Sequence, residues 1–317
     1  MCEYKFRNGD ICQEEALQNS KYCILHIDLP EDKKSEEFKR INELKEEKVK
    51  EKISKGDFNF EGAKLLVVDF NGLSVKGDVN FINAVIAYVS FAEAKIGVCA
   101  LFEGAEIDWV WFWGVKISGT VRFIGAKIGH VYFNYATIGG NARFEEAEIR
   151  GMVGFERAEI KKKLIFKNTK FRIPMAQEEA CRKAKIICEN LGNRADVDYY
   201  FYREMEARRK QKNPIIRFLE LPVQYIFGYG VHPWRVIATW LLTVFSLAFV
   251  YWLGNGVEAA DSLVEYIYFS VVTVATPGYG GYHPKPGIYQ GLASFEAIFG
   301  TFMWAAFIAT FARKYMR

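Results

Sequence analysis

Phenylalanine sets the rhythm of the middle of the chain. It stands at positions 60, 70, 81, 91, 102, 112, 123, 133, 144, 155 and 166, in steps of 10 or 11. Nearly every one is followed by a small residue at +3 and an aliphatic at +5, as in FEGAKL, FAEAKI, FEGAEI, FIGAKI, FEEAEI and FERAEI. A second small or aliphatic position falls two before the phenylalanine, at Val68, Val79, Val89, Ala100, Val110 and Val121. The unit is therefore about five residues, small at i−2 and large at i, and two steps of 10 and 11 make a coil of 21. An α-helix repeats every 3.6 residues or so and a strand every two, so neither sustains this pattern. If each unit forms one side of a square coil, the large residues point inward and stack in four columns. Phe60, Phe81, Phe102, Phe123 and Phe144 form the first, and Phe70, Phe91, Phe112, Phe133 and Phe155 the opposite one. Leu65, Ile86, Ile107, Ile128 and Ile149 fill the third, and Val75, Ile96, Ile117, Ile138 and Ile160 the fourth. The small i−2 side chains are expected to let the backbone turn its corners. The extra residue usually follows the fourth column, where Gly77, Gly97, Gly119 and Gly139 are expected to permit a bulge. No proline occurs between Pro30 and Pro174, as a continuous backbone ladder requires.

Other patterns flank the repeat. Residues 31–56 mix Glu and Lys around a narrow apolar stripe, Phe38, Ile41, Leu44, Val49 and Ile53, which predicts a charged helix docked along one edge. Residues 175–212 predict two helices, the first with Ala176, Ala180, Ala184 and Ile187 inward, the second with Tyr199, Tyr202 and Met205, separated by a Leu-Gly-Asn break at 191–193. Cys181 and Cys188 on the first read as packed thiols. Asn213-Pro214 caps a short apolar helix with Ile215, Phe218, Leu219 and Tyr225, expected to lie in a membrane interface. Val236–Val257 is uncharged, and Gly287–Arg313 is interrupted only by Glu296. At about 1.5 Å per residue both cross a bilayer core of roughly 30 Å. Between them, Ser262-x-x-Glu265 is a capping box opening a helix too short to span.

Charge sharpens this division. The 317 residues carry 80 charged side chains, of which residues 213–317 hold only 11. A soluble part is followed by a membrane part. The start, Met1 to Arg7, lacks the apolar run of a secretory signal, so the chain up to Lys212 is expected in the cytoplasm, where free thiols or metal sites are favoured over disulfides. Seven Lys/Arg lie between Arg203 and Arg235, and Arg313, Lys314 and Arg317 follow the second span, whereas the segment between the spans has Glu258, Asp261 and Glu265 against Lys285. The positive-inside rule then places both termini in the cytoplasm of a multi-pass cell-membrane protein.

Two groups of residues carry candidate chemistry. Cys2, Cys12, Cys23 and His26 fall in the spacing C-x9-C-x10-C-x2-H. Thiolate and imidazole suit zinc, and four protein ligands make a closed structural site within a knuckle at residues 1–30. Its metal would supply its folding energy. The second group is Thr276-Pro277-Gly278-Tyr279-Gly280, directly after the short helix. Non-helical backbone at membrane depth survives only where it lines a water-filled path or is buried in protein. Gly278 and Gly280 admit positive φ, which lets successive carbonyls face one way. Several copies around an axis would make rings of oxygens that replace an ion's hydration shell. The negative end of the preceding helix favours a cation there.

The repeat resembles the pentapeptide-repeat family, over residues 58–171. The resemblance implies a right-handed quadrilateral β-helix. Some members mimic DNA with an acidic surface, but here residues 58–171 carry 12 acidic and 14 basic side chains, so a spacer or assembly scaffold is expected and no nucleic-acid partner. Over residues 234–314 the chain resembles the pore domain of tetrameric potassium channels, on YFSVVTVAT followed by the T-P-G-Y-G motif. That resemblance implies a homotetramer in the lipid bilayer with K+ as permeant ion. Thr276 would supply a hydroxyl and a carbonyl at the inner end of the filter, Pro277, Gly278 and Tyr279 further carbonyls, and Gly280 the outer mouth. The inner helix would line the cavity, with Gly300 as hinge. Three positions depart from the family: Pro277 for the usual valine, Gly281 for an acid, and Val272 where many relatives bury an acid behind the filter. These thin the usual bracing.

The expected organisation is multidomain. A zinc knuckle (1–30) and a charged helical cap (31–57) precede the pentapeptide-repeat β-helix (58–171). An α-helical linker (172–212) and an interfacial helix (213–231) lead into a two-helix transmembrane pore domain with a pore helix (232–317). The expected function is passive potassium-type conduction, with a non-selective cation channel or a non-conducting membrane-anchored scaffold as alternatives. The sequence offers no nucleophile–base or phosphate-loop motif, so no enzyme and no small-molecule ligand is expected.

Overall fold

The structure is a computed structural model that describes residues 1–275 and 281–316. The chain divides into two compact units, residues 1–211 and 212–317.

The first unit is a parallel β-solenoid consistent with pentapeptide repeats. Its ladder is in register by coil: Lys64 pairs with Val85, Val85 with Glu106, Glu106 with Lys127, Lys127 with Glu148, and Glu148 with Lys170. Both phenylalanine columns stack as expected. Successive rings of the first column lie 4.7–5.4 Å apart and nearly parallel. Rings of the second lie 4.7–5.5 Å apart. The two columns meet edge to face across the axis, as between Phe91 and Phe102 at 6.0 Å. That offset stacking combined with T-shaped contact is the arrangement aromatic quadrupoles prefer. The aliphatic columns are equally buried.

The corners differ from expectation. Each of the eleven phenylalanines is followed at +2 by a residue with positive φ: Gly62, Gly72, Asn83, Glu93, Gly104, Gly114, Gly125, Tyr135, Glu146, Arg157 and Asn168. The N–H at +3 bonds back to the phenylalanine carbonyl, as Ala105 does to Phe102 at 3.1 Å. These are tight turns with a left-handed third residue, which glycine and asparagine occupy most easily. The turn is thus made between the inward residues: the small residue at +3 is its fourth member and closes it, whereas the one two before each phenylalanine, such as Val68 or Ala100, is a buried strand residue outside it.

The five-residue steps also build something other than a uniform square. Where the step from an aliphatic column to the next phenylalanine is five, one six-residue strand bridges the two: Lys64–Asp69, Val85–Ser90, Glu106–Trp111 and Lys127–Tyr132. Where it is six, the extra residue splits that strand into two pairs, as in Lys95–Ile96 and Ala100–Leu101. From Ile149 to Phe155 the step is also six, and there the long strand divides into Glu148–Ile149 and Val153–Gly154. The glycines at the splits do not take positive φ. Gly97, Gly119 and Gly139 are required because the carbonyl oxygen of the preceding coil lies 2.3 Å from where their Cβ would sit.

Outward positions also form columns. Trp109 and His130 stack at 4.0 Å on the solenoid's outside, and Lys127 and Arg150 both pair with Glu106.

Both ends of the ladder are covered. At the start, helix α1 (Glu36–Ser54) is capped by the Ser35 hydroxyl, which accepts from the Phe38 N–H. It buries Phe38, Ile41 and Val49 as expected, but Leu44 is exposed and Lys45 is buried instead. The Lys45 ammonium donates to the carbonyls of Ile27 and Lys64, each at 2.8 Å, and sits 3.4 Å from that of Leu25. Burial lowers its pKa to about 8. The Lys64 N–H bonds to Leu25 O at 2.8 Å, so the N-terminal segment extends the ladder.

At the far end, α2 (Pro174–Asn190) and α3 (Arg194–Gln211) form a hairpin. Ala176, Ala180, Ala184, Cys181 and Cys188 are buried as expected, and on α3 the most buried residues are Tyr200, Glu204, Ala207 and Arg209, with Tyr199 half-buried against the core. The phase is set by end groups: the Tyr200 hydroxyl meets the Phe166 N–H and Leu164 O, and Lys183 donates to Ala158 O.

The second unit begins with short helices α4 (Pro214–Leu219), capped by Asn213, and α5 (Leu221–Tyr225). Ile215, Phe218, Leu219 and Tyr225 are exposed on them, as a helix lying in an interface requires. Then come α6 (Pro233–Leu253), α7 (Leu263–Ala275) and α8 (Ile288–Tyr315). Helices α6 and α8 are long and apolar enough to cross a membrane, and α7 is shorter.

The solenoid core yields a direct test. Phe102→Ala is expected to destabilise the first unit by about 3–5 kcal/mol in chemical unfolding, through a cavity between two stacked rings. Lys116→Ala, on the outside, should change stability by no more than about 0.5 kcal/mol.

Candidate functional sites

The four N-terminal residues converge. The ligand atoms of Cys2, Cys12, Cys23 and His26 all lie within 4.8 Å of one another, and all four side chains are buried. Cys23 and Cys2 place Sγ at 3.1 and 3.4 Å from His26 Nδ1, and Cys12 and Cys23 are 4.0 Å apart. Two thiolates about 2.3 Å from a tetrahedral metal stand roughly 3.8 Å apart, so the set fits an ion at its centre. His26 Nε2 meets the Glu61 carbonyl at 3.0 Å, leaving Nδ1 for the metal, while Tyr4 stacks on the imidazole at 4.0 Å. Glu61 follows Phe60 in the first coil, so the knuckle is fastened to the solenoid. Burial pushes the Cys23 thiol up to about 12 and lowers His26. A divalent cation would reverse the first effect by favouring thiolate.

In the second unit, α7 is opened by the expected capping box. Glu265 Oε2 accepts from the N–H groups of Asp261 and Ser262 at 2.7 and 2.8 Å. The segments before and beyond are tied together: Val257–Glu258 pairs antiparallel with His283–Pro284, and Lys285 N–H reaches Gly256 O at 2.8 Å. His283 is exposed there. At the other end of the unit, Arg313 Nη1 bonds Tyr229 O at 2.8 Å and Lys314 Nζ lies 3.3 Å from Val231 O. The end of α8 therefore meets the segment that leads into α6. The two long helices form a hairpin with the short helix and the 276–280 segment inserted between them in sequence. Residues 238–317 match a family model described as "Ion channel", Ion_trans_2.

The C-terminal part is a two-helix ion-channel domain. The chain matches no curated protein and no solved structure. Thr276, Pro277, Gly278, Tyr279 and Gly280 of the channel domain lie outside the described residues. Gly300 is described, and α8 runs through it without a break. A Cβ on Gly300 would stand 2.4 Å from Val274 O and 2.7 Å from Val274 Cγ1, so α8 touches the end of α7 at this point.

The channel domain also holds a polar group that the apolar pattern does not place. Glu296, the one acid within the second span, is fully buried. Its carboxyl contacts the Ser270 hydroxyl of α7 and, at 3.0 Å, the Tyr251 hydroxyl of α6. The short helix α7 is thus held from α8 by an acid, although Val272 on α7 itself carries none. One signal was available: an acid alone in a membrane span is costly and marks a site by default.

Gly300→Ala is expected to separate α7 from α8, costing about 1–3 kcal/mol as overpacking and lowering the thermal midpoint in detergent. Gly291→Ala, with nothing within 4 Å of its Cβ position, should leave the midpoint unchanged or slightly raised.

Proposed function

We propose that the chain forms a homotetrameric potassium-type channel in the cell membrane, with both termini and the β-solenoid on the cytoplasmic side. The observation that carries this reading is the short capped helix α7 between two apolar helices, leading directly into Thr276-Pro277-Gly278-Tyr279-Gly280. One chain supplies one such segment, and rings of carbonyls need several copies about an axis, so a closed cyclic oligomer is required. Potassium-type resemblance sets the number at four. Thr276 through Gly280 form the filter, and Gly300 combines a close helix contact with a hinge during opening. The protein acts by passive conduction and not as an enzyme. Pro277, Gly281 and Val272 favour a second reading, a cation channel of the same architecture with little preference for potassium.

Flux of purified protein in liposomes separates these readings. Potassium flux exceeding sodium flux is expected, Gly278→Ala should abolish it while leaving assembly intact, and Pro277→Val should raise the preference for potassium. Equal sodium and potassium flux would favour the second reading. Absence of any cation flux under all ionic and voltage conditions would leave a membrane-anchored scaffold.

The N-terminal site is proposed to hold one structural zinc ion through Cys2, Cys12, Cys23 and His26. The compact donor set and the Glu61 carbonyl behind His26 support it. Elemental analysis is expected to find about one zinc per chain. Cys23→Ser should lose the metal and expose the N-terminal knuckle to proteolysis, with the membrane unit unchanged. Native protein without zinc would refute the assignment.

A further inference from the structure

Three oxygen–oxygen contacts link the helices of the channel domain around Glu296. Tyr251 Oη lies 3.0 Å from Glu296 Oε2, Ser270 Oγ contacts Glu296 Oε1, and the same Ser270 Oγ lies 2.9 Å from the carbonyl oxygen of Val244 on α6. Each contact needs a proton between its oxygens. The two hydroxyls supply two. The Tyr251 proton serves Oε2, and the single Ser270 proton can serve either Val244 or Glu296 but not both. A third proton is required, and the carboxyl is the group in the network that can carry it.

Burial points the same way. Glu296, Ser270 and Tyr251 are all fully buried. Among the described residues no ammonium or guanidinium forms an ion pair with Glu296. The other tyrosines of this apolar cluster direct their hydroxyls elsewhere: Tyr266 to Asn255 and Ala260 O, Tyr282 to Glu265, and Tyr289 to Gly254 O. An ionised carboxylate in this apolar setting would lack a compensating charge.

We infer that Glu296 is a neutral carboxylic acid, a positioning residue that donates from Oε1 to Ser270 while Ser270 donates to Val244 and Tyr251 donates to Oε2. The chain of donors runs from the inner helix through the pore helix to the outer helix, and back from the outer helix to the inner. Ser270 stands six residues before Thr276, so the proton holds the pore helix just upstream of the filter segment. The consequence for conduction rests on the proposed channel function; the protonation state does not.

The test uses the purified full chain in lipid nanodiscs at neutral pH. Infrared spectra of wild type minus Glu296→Gln are expected to show the carbonyl stretch of a protonated carboxylic acid, and Tyr251→Phe should move that band to higher frequency by removing the hydrogen bond to Oε2. Glutamine keeps an acceptor oxygen for Tyr251 and a donor for Ser270, as the neutral acid does, with one N–H in excess, so Glu296→Gln should keep a thermal midpoint clearly above those of the alanine variants. Glu296→Ala should lower it; if that variant fails to assemble, Ser270→Ala provides the comparison, with a lowered midpoint and the carboxylic acid band retained but shifted. Absence of the band in wild type, or a Glu296→Gln midpoint as low as that of the alanine variants, would overturn the inference. Neither measurement depends on ion flux, so this assignment and the channel reading can fail separately.

Discussion

A parallel β-helix turns its amide and carbonyl groups along its own axis, so each coil is satisfied only by its neighbours. The interior coils meet this condition automatically, because the same turn and the same inward residues recur. The two end coils cannot. The first is met by the N-terminal segment, with Leu25 accepting from Lys64 and the Lys45 ammonium gathering carbonyls of Ile27 and Lys64. The last is met by side chains of the helical hairpin, chiefly Tyr200 and Lys183. The parts of the first unit that are not solenoid exist largely as its ends.

The same demand operates with less tolerance in the membrane unit, where lipid offers no alternative partner. Its long helices satisfy their own backbone. What remains is the attachment of a helix too short to span. It is held by a capping box at its start, by the hydroxyl and carboxyl contacts around Glu296 in its middle, and by the bare Cα of Gly300 at its end. Polar side chains thereby fix the position of the helix, and a missing side chain fixes its closeness.

Much of this was legible in the sequence, and the exceptions share a cause. The phenylalanine period identifies the columns because burial repeats with the coil. The distinction between a step of five and a step of six was also present in the numbering, and it accounts for which strands are continuous. The convergence of Cys2, Cys12, Cys23 and His26 was readable because thiols and imidazoles at such spacing have few alternative uses. Lys45, the phase of Tyr200 and the role of Glu296 were not readable. Each is a polar side chain placed by acceptors or donors far away in sequence, and an apolar pattern assigns such residues to the surface or treats them as interruptions. Thr276 through Gly280, by contrast, lie outside the described residues and are read from the sequence alone.

The regularity of the coils gives the first unit a length that can change in whole steps. In the backbone ladder each coil bonds only to the one before and the one after, and every coil presents the same turn after its phenylalanine. Excising the segment Glu103–Phe123, one full coil, would join Phe102 to Ile124 and leave every column occupied. Such a chain would be shorter by one strand spacing, about 4.8 Å, with both ends still closed by their own caps. The solenoid can thus be retuned as a ruler by duplication or loss of one coil, without altering the N-terminal knuckle at one end or the helical hairpin at the other.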